Sequence, residues 1–468
     1  MNDRRQQRIS RGMACMLWVA LCFGLTSAVY LWWLDHLVAL TGAEAADWYS
    51  QIAGYLMQAA GMGATAWRLR RSPGADHTRL FNGVAALFAA LSAPALLANT
   101  AAGVVLFGLA MNFMCGMISG FYLYAIAAGA EDARRGVIFG GGYALATVAV
   151  GLLALAGGDW LPRGGRALAV CVPLTACAAY MASRLRLLDA AESPRPAPPE
   201  ASSQAPLALA FSVVVMISAV KNLGFIFPSA DIEAGLRPEL SRLPYAAGLL
   251  AAGLISDRSR KNGMVCAVAA LILPFIMLGL SGEPVPTAIF WGLDYLFFGF
   301  FSVFRVLLFL DMAGGERRWA LAPLGLVAGR LGDVAGTAVG LLLSGSRLAL
   351  IGTTTALFVP TAVLFYRLYQ RVCEPRAVRQ RGEQEIFEEF CLHNDLSARE
   401  REVFRMAIDN NTNAQIAEAL FITESTVKYH MRNVLQKAGC KNRSELQRKY
   451  TLALYPGLQS SPDSGHDG

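Results

Sequence analysis

From its start to about Arg371 the chain is a succession of apolar runs, each close to the roughly 20 residues an α-helix needs to cross a hydrocarbon layer. Inside such a layer every backbone amide must find its partner within the protein, and a self-contained segment of this length does so as a helix. Twelve runs can be counted: near 12–34, 47–67, 80–100, 103–128, 136–157 and 166–185, then near 206–229, 240–256, 263–281, 287–311, 320–344 and 348–369. Hydrophobic residues make up 55% of the chain and charged ones 16%, and the polar residues crowd into the segment after Arg371. A membrane bundle followed by a water-exposed part is the only division that suits both halves of that pattern.

The runs fall into two sets of six, separated by Leu188–Ala205, whose SPRPAPPEASSQAP stretch cannot sustain a helix and reads as a flexible linker. The expected division is a first six-helix half over 1–187, a cytoplasmic linker over 188–205, a second half over 206–369, a connector over 370–395, a small helical domain over 396–450 and a disordered tail over 451–468. Basic residues mark every second loop: Arg4 to Arg11 before the first run, then Arg68 to Arg71, Arg134 and Arg135, Arg184 and Arg186, Arg258 to Lys261, and Arg317 and Arg318. The intervening loops carry few, and the first is acidic, with Asp35, Glu44 and Asp47. Positive residues stay on the cytoplasmic side, so both termini are expected there, in a multi-pass inner-membrane protein surrounded by membrane lipid. The first run reads as a retained helix rather than a cleaved signal, because it is followed by eleven more.

The loop after the eighth run reads GLISDRSRK from Gly253. With six plus six spans and a central linker, the region resembles the major facilitator superfamily, whose signature G-x-L-x-D-R-x-G-R-K is met by Gly253, Asp257, Arg258 and Lys261, with Arg260 replacing a glycine. The resemblance implies that Gly253, Asp257 and Arg258 tie helix ends together and gate the two halves. The matching first-half loop, GATAWRLRR from Gly63, has Trp67 where the family has its aspartate, which weakens the case for an efficient transporter and leaves the fold untouched. Ionisable residues within spans are costly and mark functional positions. Here they are Lys221, Asp294, Arg305, Arg330 and Asp333, all in the second half, and they form the expected ligand-binding or gating set. Arg330 and Asp333, three apart, can pair on one helix, whereas Lys221 and Asp294 have no partner within helical reach and point to a central cavity or an interhelical pair.

No phosphate-binding glycine loop, nucleophile elbow or His-rich metal spacing occurs, and the nine cysteines are scattered without ligand spacing. An enzyme, a metal and a cofactor are therefore not expected.

The polar C-terminal part has its helix starts written in capping chemistry. Ser397 with Glu400, Thr412 with Gln415, and Asn442 with Glu445 each match a capping box, Thr423 supplies a fourth cap, and Gly439 a stop. Val403, Met406, Ala407, Ile416, Leu420, Val427, Met431, Val434, Leu435 and Leu446 can then meet in one small core. Lys428, Tyr429 and Arg432 remain outward on the third helix, a cationic face that fits a DNA major groove or a protein partner.

Residues 396–450 resemble the LuxR-type helix-turn-helix domain: L-[ST]-x-R-E-x-E-V matches Leu396–Val403, N-x-x-I-A-x-x-L-x-[IV]-[ST] matches Asn413–Thr423, T-V-K-x-H matches Thr426–His430, and N-R-x-E matches Asn442–Glu445. Asn410 stands for a usual glycine and Ala414 for a usual lysine. The resemblance implies a bacterial regulator that binds double-stranded promoter DNA as a homodimer, with Lys428, Tyr429 and Arg432 facing bases and Thr426, Lys437, Lys441 and Arg443 near phosphates. The segment Glu383–His393, with Ile386, Phe387 and Phe390 on one side, can serve the dimer or pack on its own domain. The resulting expectation is an all-α chain, a twelve-helix bundle of 6+6 major-facilitator-like form followed by a four-helix LuxR-type domain. It would act as a membrane-embedded one-component transcriptional regulator sensing a small-molecule ligand. The alternative is a secondary transporter carrying a regulatory DNA-binding domain.

Overall fold

Among the described residues, the apolar runs of the sequence are helical. The structure is a computed structural model that describes residues 2–130, 134–157, 165–189, 207–223, 243–268, 271, 284–315, 318–373, 384, 386–409 and 411–454. The first half comprises α1 (Asn2–Thr41), α2 (Ala43–Asp47), a wide π-helical turn (Trp48–Gly54), α3 (Tyr55–Arg71), α4 (Thr78–Leu97), α5 (Ala101–Gly129), α6 (Arg135–Gly157) and α7 (Gly165–Arg184). The second comprises α8 (Leu207–Leu223), α9 (Leu243–Arg258), α10 (Arg260–Ala267), α11 (Pro284–Gly315), α12 (Leu324–Leu342) and α13 (Arg347–Cys373). Among the described residues eight helices are long and apolar enough to cross a membrane, and α8 is a shorter apolar helix. Most of the 188–205 linker, much of the run near 263–281 and the tail from 455 on lie outside the described residues.

The chain divides into two compact units, Met1–Cys373 and Glu374–Gly468. In the first unit the most extensive contacts between the halves are those of α3 on α12 and of α6 on α9. The α6–α9 pair is close because neither helix has side chains at the crossing: a Cβ on Gly136 would lie 2.6 Å from the Gly253 carbonyl oxygen, and one on Gly253 would lie 2.5 Å from the Gly136 carbonyl oxygen. Two fully buried indoles find polar partners, the Trp18 N–H donating to the Ala178 carbonyl at 2.9 Å and that of Trp33 to Val104 at 3.0 Å.

The second unit contains a helical segment over 386–393 followed by α14 (Ala398–Ile408), α15 (Asn413–Ala419), α16 (Glu424–Lys437) and α17 (Arg443–Leu454). Capping boxes open α14 at Ser397 and α15 at Thr412, and the Thr423 hydroxyl accepts from the Thr426 amide at the start of α16. At the third expected box the geometry differs by one residue. Asn442 Oδ1 accepts from the Glu445 amide at 2.9 Å, but the Glu445 carboxylate reaches past Asn442 to the Lys441 amide at 2.7 Å. Gly439 adopts φ 65, the left-handed stop, while Asn410 lies outside the described residues.

Val403, Ala407, Ile416, Val427, Met431, Val434 and Leu446 are buried together, with Met406, Leu420 and Leu435 partly buried around them. An aromatic cluster adds to this core: Phe404 stacks on Phe387 and Phe390 at centroid distances of 5.5 and 5.2 Å, and Tyr450 meets Phe390 edge-on at 5.4 Å. The 386–393 segment therefore packs on its own domain, and Phe387 and Phe390 are taken up there rather than offered to a second copy.

Candidate functional site

The outward face of α16 is set by its inward one. Val427, Met431 and Val434 are held in the core, which leaves Lys428, Tyr429 and Arg432 in solvent, with Tyr429 54% exposed. The Arg432 guanidinium lies 5.9 Å from the Tyr429 ring centre, and among the described residues no carboxylate pairs with Lys428 or Arg432. Thr426, at the first turn, bonds the Thr423 hydroxyl at 2.8 Å. Lys441 is likewise exposed.

The remaining two basic residues of the expected DNA face are committed inside the domain. Lys437 Nζ donates to Glu400 Oε2 at 2.7 Å and to the Asp395 carbonyl at 2.8 Å. Arg443 donates to the Ala407 carbonyl and, at 2.7 Å, to that of Asn411, closing the end of α14. Burial would push the Glu400 carboxyl up, but the hydrogen bonds from Lys437 and from Ser397 outweigh it and hold the group below its ordinary value.

In the first unit a cavity of about 170 Å³ opens between the halves. Gln51, Tyr55 and Gln58, at helical spacing along the π-turn and α3, line it from the first half together with Tyr122 and Tyr143, whose hydroxyls bond one another. The second half contributes Lys221 from α8, Arg305 from α11, and Arg330 and Asp333 from α12. Close approach of α12 to α8 places the acid: a Cβ on Gly332 would lie 2.2 Å from the Val215 carbonyl and one on Gly336 2.3 Å from that of Ala219. Asp333 thereby serves three cations, Arg330 at 3.4 Å, Arg305 at 3.7 Å and Lys221 at 3.9 Å. The pair expected on one helix is present, and Lys221 finds its acid on another helix. Asp294 lies on α11, but its side chain is outside the described residues.

A clasp joins the halves at the starts of α6 and α10. Asp257 accepts the Gly136 amide on Oδ1 and the Val137 amide on Oδ2, both at 2.7 Å, so a carboxylate sits across the positive end of α6. Arg260 donates to Asp257 at 2.8 Å and to Asp311 at 2.8 Å, and Arg135 lies 3.5 Å from Asp311. Gly253 lies at the α6–α9 crossing and Asp257 at the start of α6, while Arg258 is exposed at the end of α9. Arg260 rather than Arg258 bonds Asp257, because the chain turns at Ser259 to begin α10 and carries residue 260 back over Asp257. The only sequence sign of this was that Arg260 stood where a glycine was due. Asp311 and Arg135, at the ends of apolar runs, gave none.

These two units define the class: a helix-turn-helix DNA reader in one chain with a membrane domain of major-facilitator-like fold. Residues 394–450 match the family described as bacterial regulatory proteins, luxR family. The chain is 48% identical to spore germination protein GerE of Bacillus subtilis (strain 168) over 50 residues, which are 11% of this chain and 68% of GerE. It is 44% identical over 50 residues to transcriptional regulatory protein DegU of Brevibacillus brevis, 11% of this chain and 21% of DegU. Over 53 residues it is 40% identical to transcriptional regulatory protein LiaR of Bacillus subtilis (strain 168), 11% of this chain and 25% of LiaR. The chain belongs, through this domain, to the LuxR family of bacterial regulatory proteins. In fold it is similar to the human organic anion transporter MFSD10, with a TM-score of 0.55 at 13% identity over 78% of this chain and 99% of that one.

Proposed function

We propose that the protein is a one-component transcriptional regulator of the inner membrane, with both termini cytoplasmic. A small molecule bound in the membrane domain shifts an equilibrium between two arrangements of the halves, and this changes how two copies of the reading helix pair on promoter DNA. The observation that carries this reading is the α16 face, where Lys428, Tyr429 and Arg432 project from a LuxR-family domain that shares its chain with a cavity-bearing bundle. The ligand must bind the two arrangements with different affinity, and moving the population from mostly off to mostly on takes about 5.5 kcal/mol.

The uneven gating machinery favours a sensor over a transporter with an attached reader. Asp257 caps α6, the fifth span, but the corresponding eleventh span, α12, starts at Pro323 with no side-chain cap. Trp67 stands where the first-half acid would be and is 57% exposed, with the Arg71 guanidinium 4.6 Å above its ring. Both loops belong to the cytoplasmic set, so only one of the two seams that would close that side is clasped by an acid.

The test is genome-wide DNA occupancy of the intact protein beside a Lys428→Ala, Arg432→Ala double variant of equal membrane abundance. Discrete promoter peaks lost in the variant are expected. Absence of peaks across growth conditions would overturn the regulator reading, and solute uptake into proteoliposomes would then favour the transporter.

A further inference from the structure

The charge of the cavity wall is one-sided in sign as well as in place. Among its described lining side chains the cations Lys221, Arg305 and Arg330 face the single carboxylate of Asp333. Counting Asp294 as a second acid on the same helix as Arg305 still leaves three cations against two carboxylates. Arg305 is 4% exposed, yet its Nε and Nη1 donate no hydrogen bond, and Asp333 Oδ1 accepts none. Three cations lie at 3.4–3.9 Å around one acid, and Arg305 is not saturated by it. Ring faces also adjoin the cations, Phe298 lying 4.1 Å from Lys221 Nζ and Tyr55 lying 4.0 Å from the Arg330 guanidinium. Such contacts steady a cation without using its N–H donors. Buried guanidinium donors left open toward a cavity are a site for a planar anion, for which the arginine fork is matched.

The opposite wall sets the rest of the ligand. It is uncharged, and Phe23 stacks on Tyr143 there with ring centres 3.6 Å apart. A cavity of about 170 Å³ is close to the roughly 150 Å³ that takes up benzene. We infer that the cavity binds a small carboxylate with a body of about one aromatic ring, its anionic end on Arg305 and Arg330 in competition with Asp333. Asp333 is thus an internal stand-in for the ligand's carboxylate. Because Arg330 lies against Tyr55 of the other half, a ligand that draws Arg330 away from Asp333 also alters the seam between α3 and α12.

This inference rests on the sensor reading for its biological use, but its test needs no DNA. The full-length protein in nanodiscs of zwitterionic lipid is titrated with benzoate, benzamide and benzylammonium at constant ionic strength, following heat and intrinsic fluorescence. Benzoate is expected to bind at least about tenfold more tightly than benzamide, with benzylammonium weakest, as loss of a charge-assisted hydrogen bond requires. Arg305→Gln should remove that preference while leaving helical circular dichroism unchanged. Equal or tighter binding of either congener, or no binding of benzoate, would overturn the proposal, as would an Arg305→Gln protein that is folded and keeps the preference. Benzoate binding without promoter peaks would sink the regulator reading alone, and peaks without benzoate binding would sink this one alone.

Discussion

Lys437 and Lys441 look alike in the sequence and part company in the structure, and substituting each separates their duties. Lys437 bridges α16 to the start of α14 through Glu400 and the Asp395 carbonyl. A hydrogen bond to a charged group contributes about 1.5–3 kcal/mol, and because the Lys437 side chain is 37% exposed solvent screening reduces this to about 1–2 kcal/mol. Lys437→Met keeps the aliphatic stem, so the fragment 374–468 should lose that amount in urea denaturation followed by circular dichroism. Its promoter affinity should keep the same dependence on salt. Lys441→Ala should do the reverse, leaving stability within about 0.5 kcal/mol and flattening the slope of log K against log salt by about 0.9 for each copy bound. A stable Lys437→Met domain with a flattened slope would place Lys437 on phosphate and refute the reasoning from its internal bonds.

Two further outcomes follow from the same geometry. Glu400 has its carboxyl lowered from an ordinary value of 4.5 in the folded domain, so its contribution to stability is fully present above that value and is lost as pH falls below it. The urea midpoint of the fragment should accordingly drop on acidification, and less steeply in Lys437→Met, which removes the main hydrogen bond favouring the charged form. At the clasp, the Gly136 and Val137 amides should exchange with deuterium at least about tenfold faster in Asp257→Ala or Arg260→Ala protein. Arg258→Ala should leave them protected, and faster exchange in that variant would restore Arg258 to the clasp.

What the sequence made legible was what neighbouring residues settle between themselves. The caps at Ser397, Thr412 and Thr423 join residues three apart, and the inward stripe of α16 follows from helical period, so the exposed face of α16 was legible in the sequence. The Arg330–Asp333 pair was legible for the same reason. Lys437 and Glu400 are 37 positions apart, and no local pattern distinguishes a lysine bound to its own domain from one free to meet phosphate. The aromatic cluster of Phe387, Phe390, Phe404 and Tyr450 depends likewise on how the ends of the domain fold back on each other.

The same limit hid how the buried charges of the bundle are shared, and their sharing supports the proposed two-state switch. The Asp333 carboxylate is divided among Lys221, Arg305 and Arg330, and a buried cation left alone in a low-dielectric core would cost several kcal/mol. A small change in the position of α12 can therefore trade one partner for another at little net cost, which a single tight ion pair would forbid. Gly332 and Gly336 let α12 lie directly on α8, and Asn222 of α8 ties the two by donating to the Asp333 carbonyl at 3.1 Å and to Thr337 Oγ1 at 3.0 Å, so in such a shift the two helices would move together. The other seam is pinned by Asp257 across the amides of α6. In the proposed switch this clasped seam is the fixed one, and the α3–α12 seam, beside the charged side of the cavity, is the one that shifts.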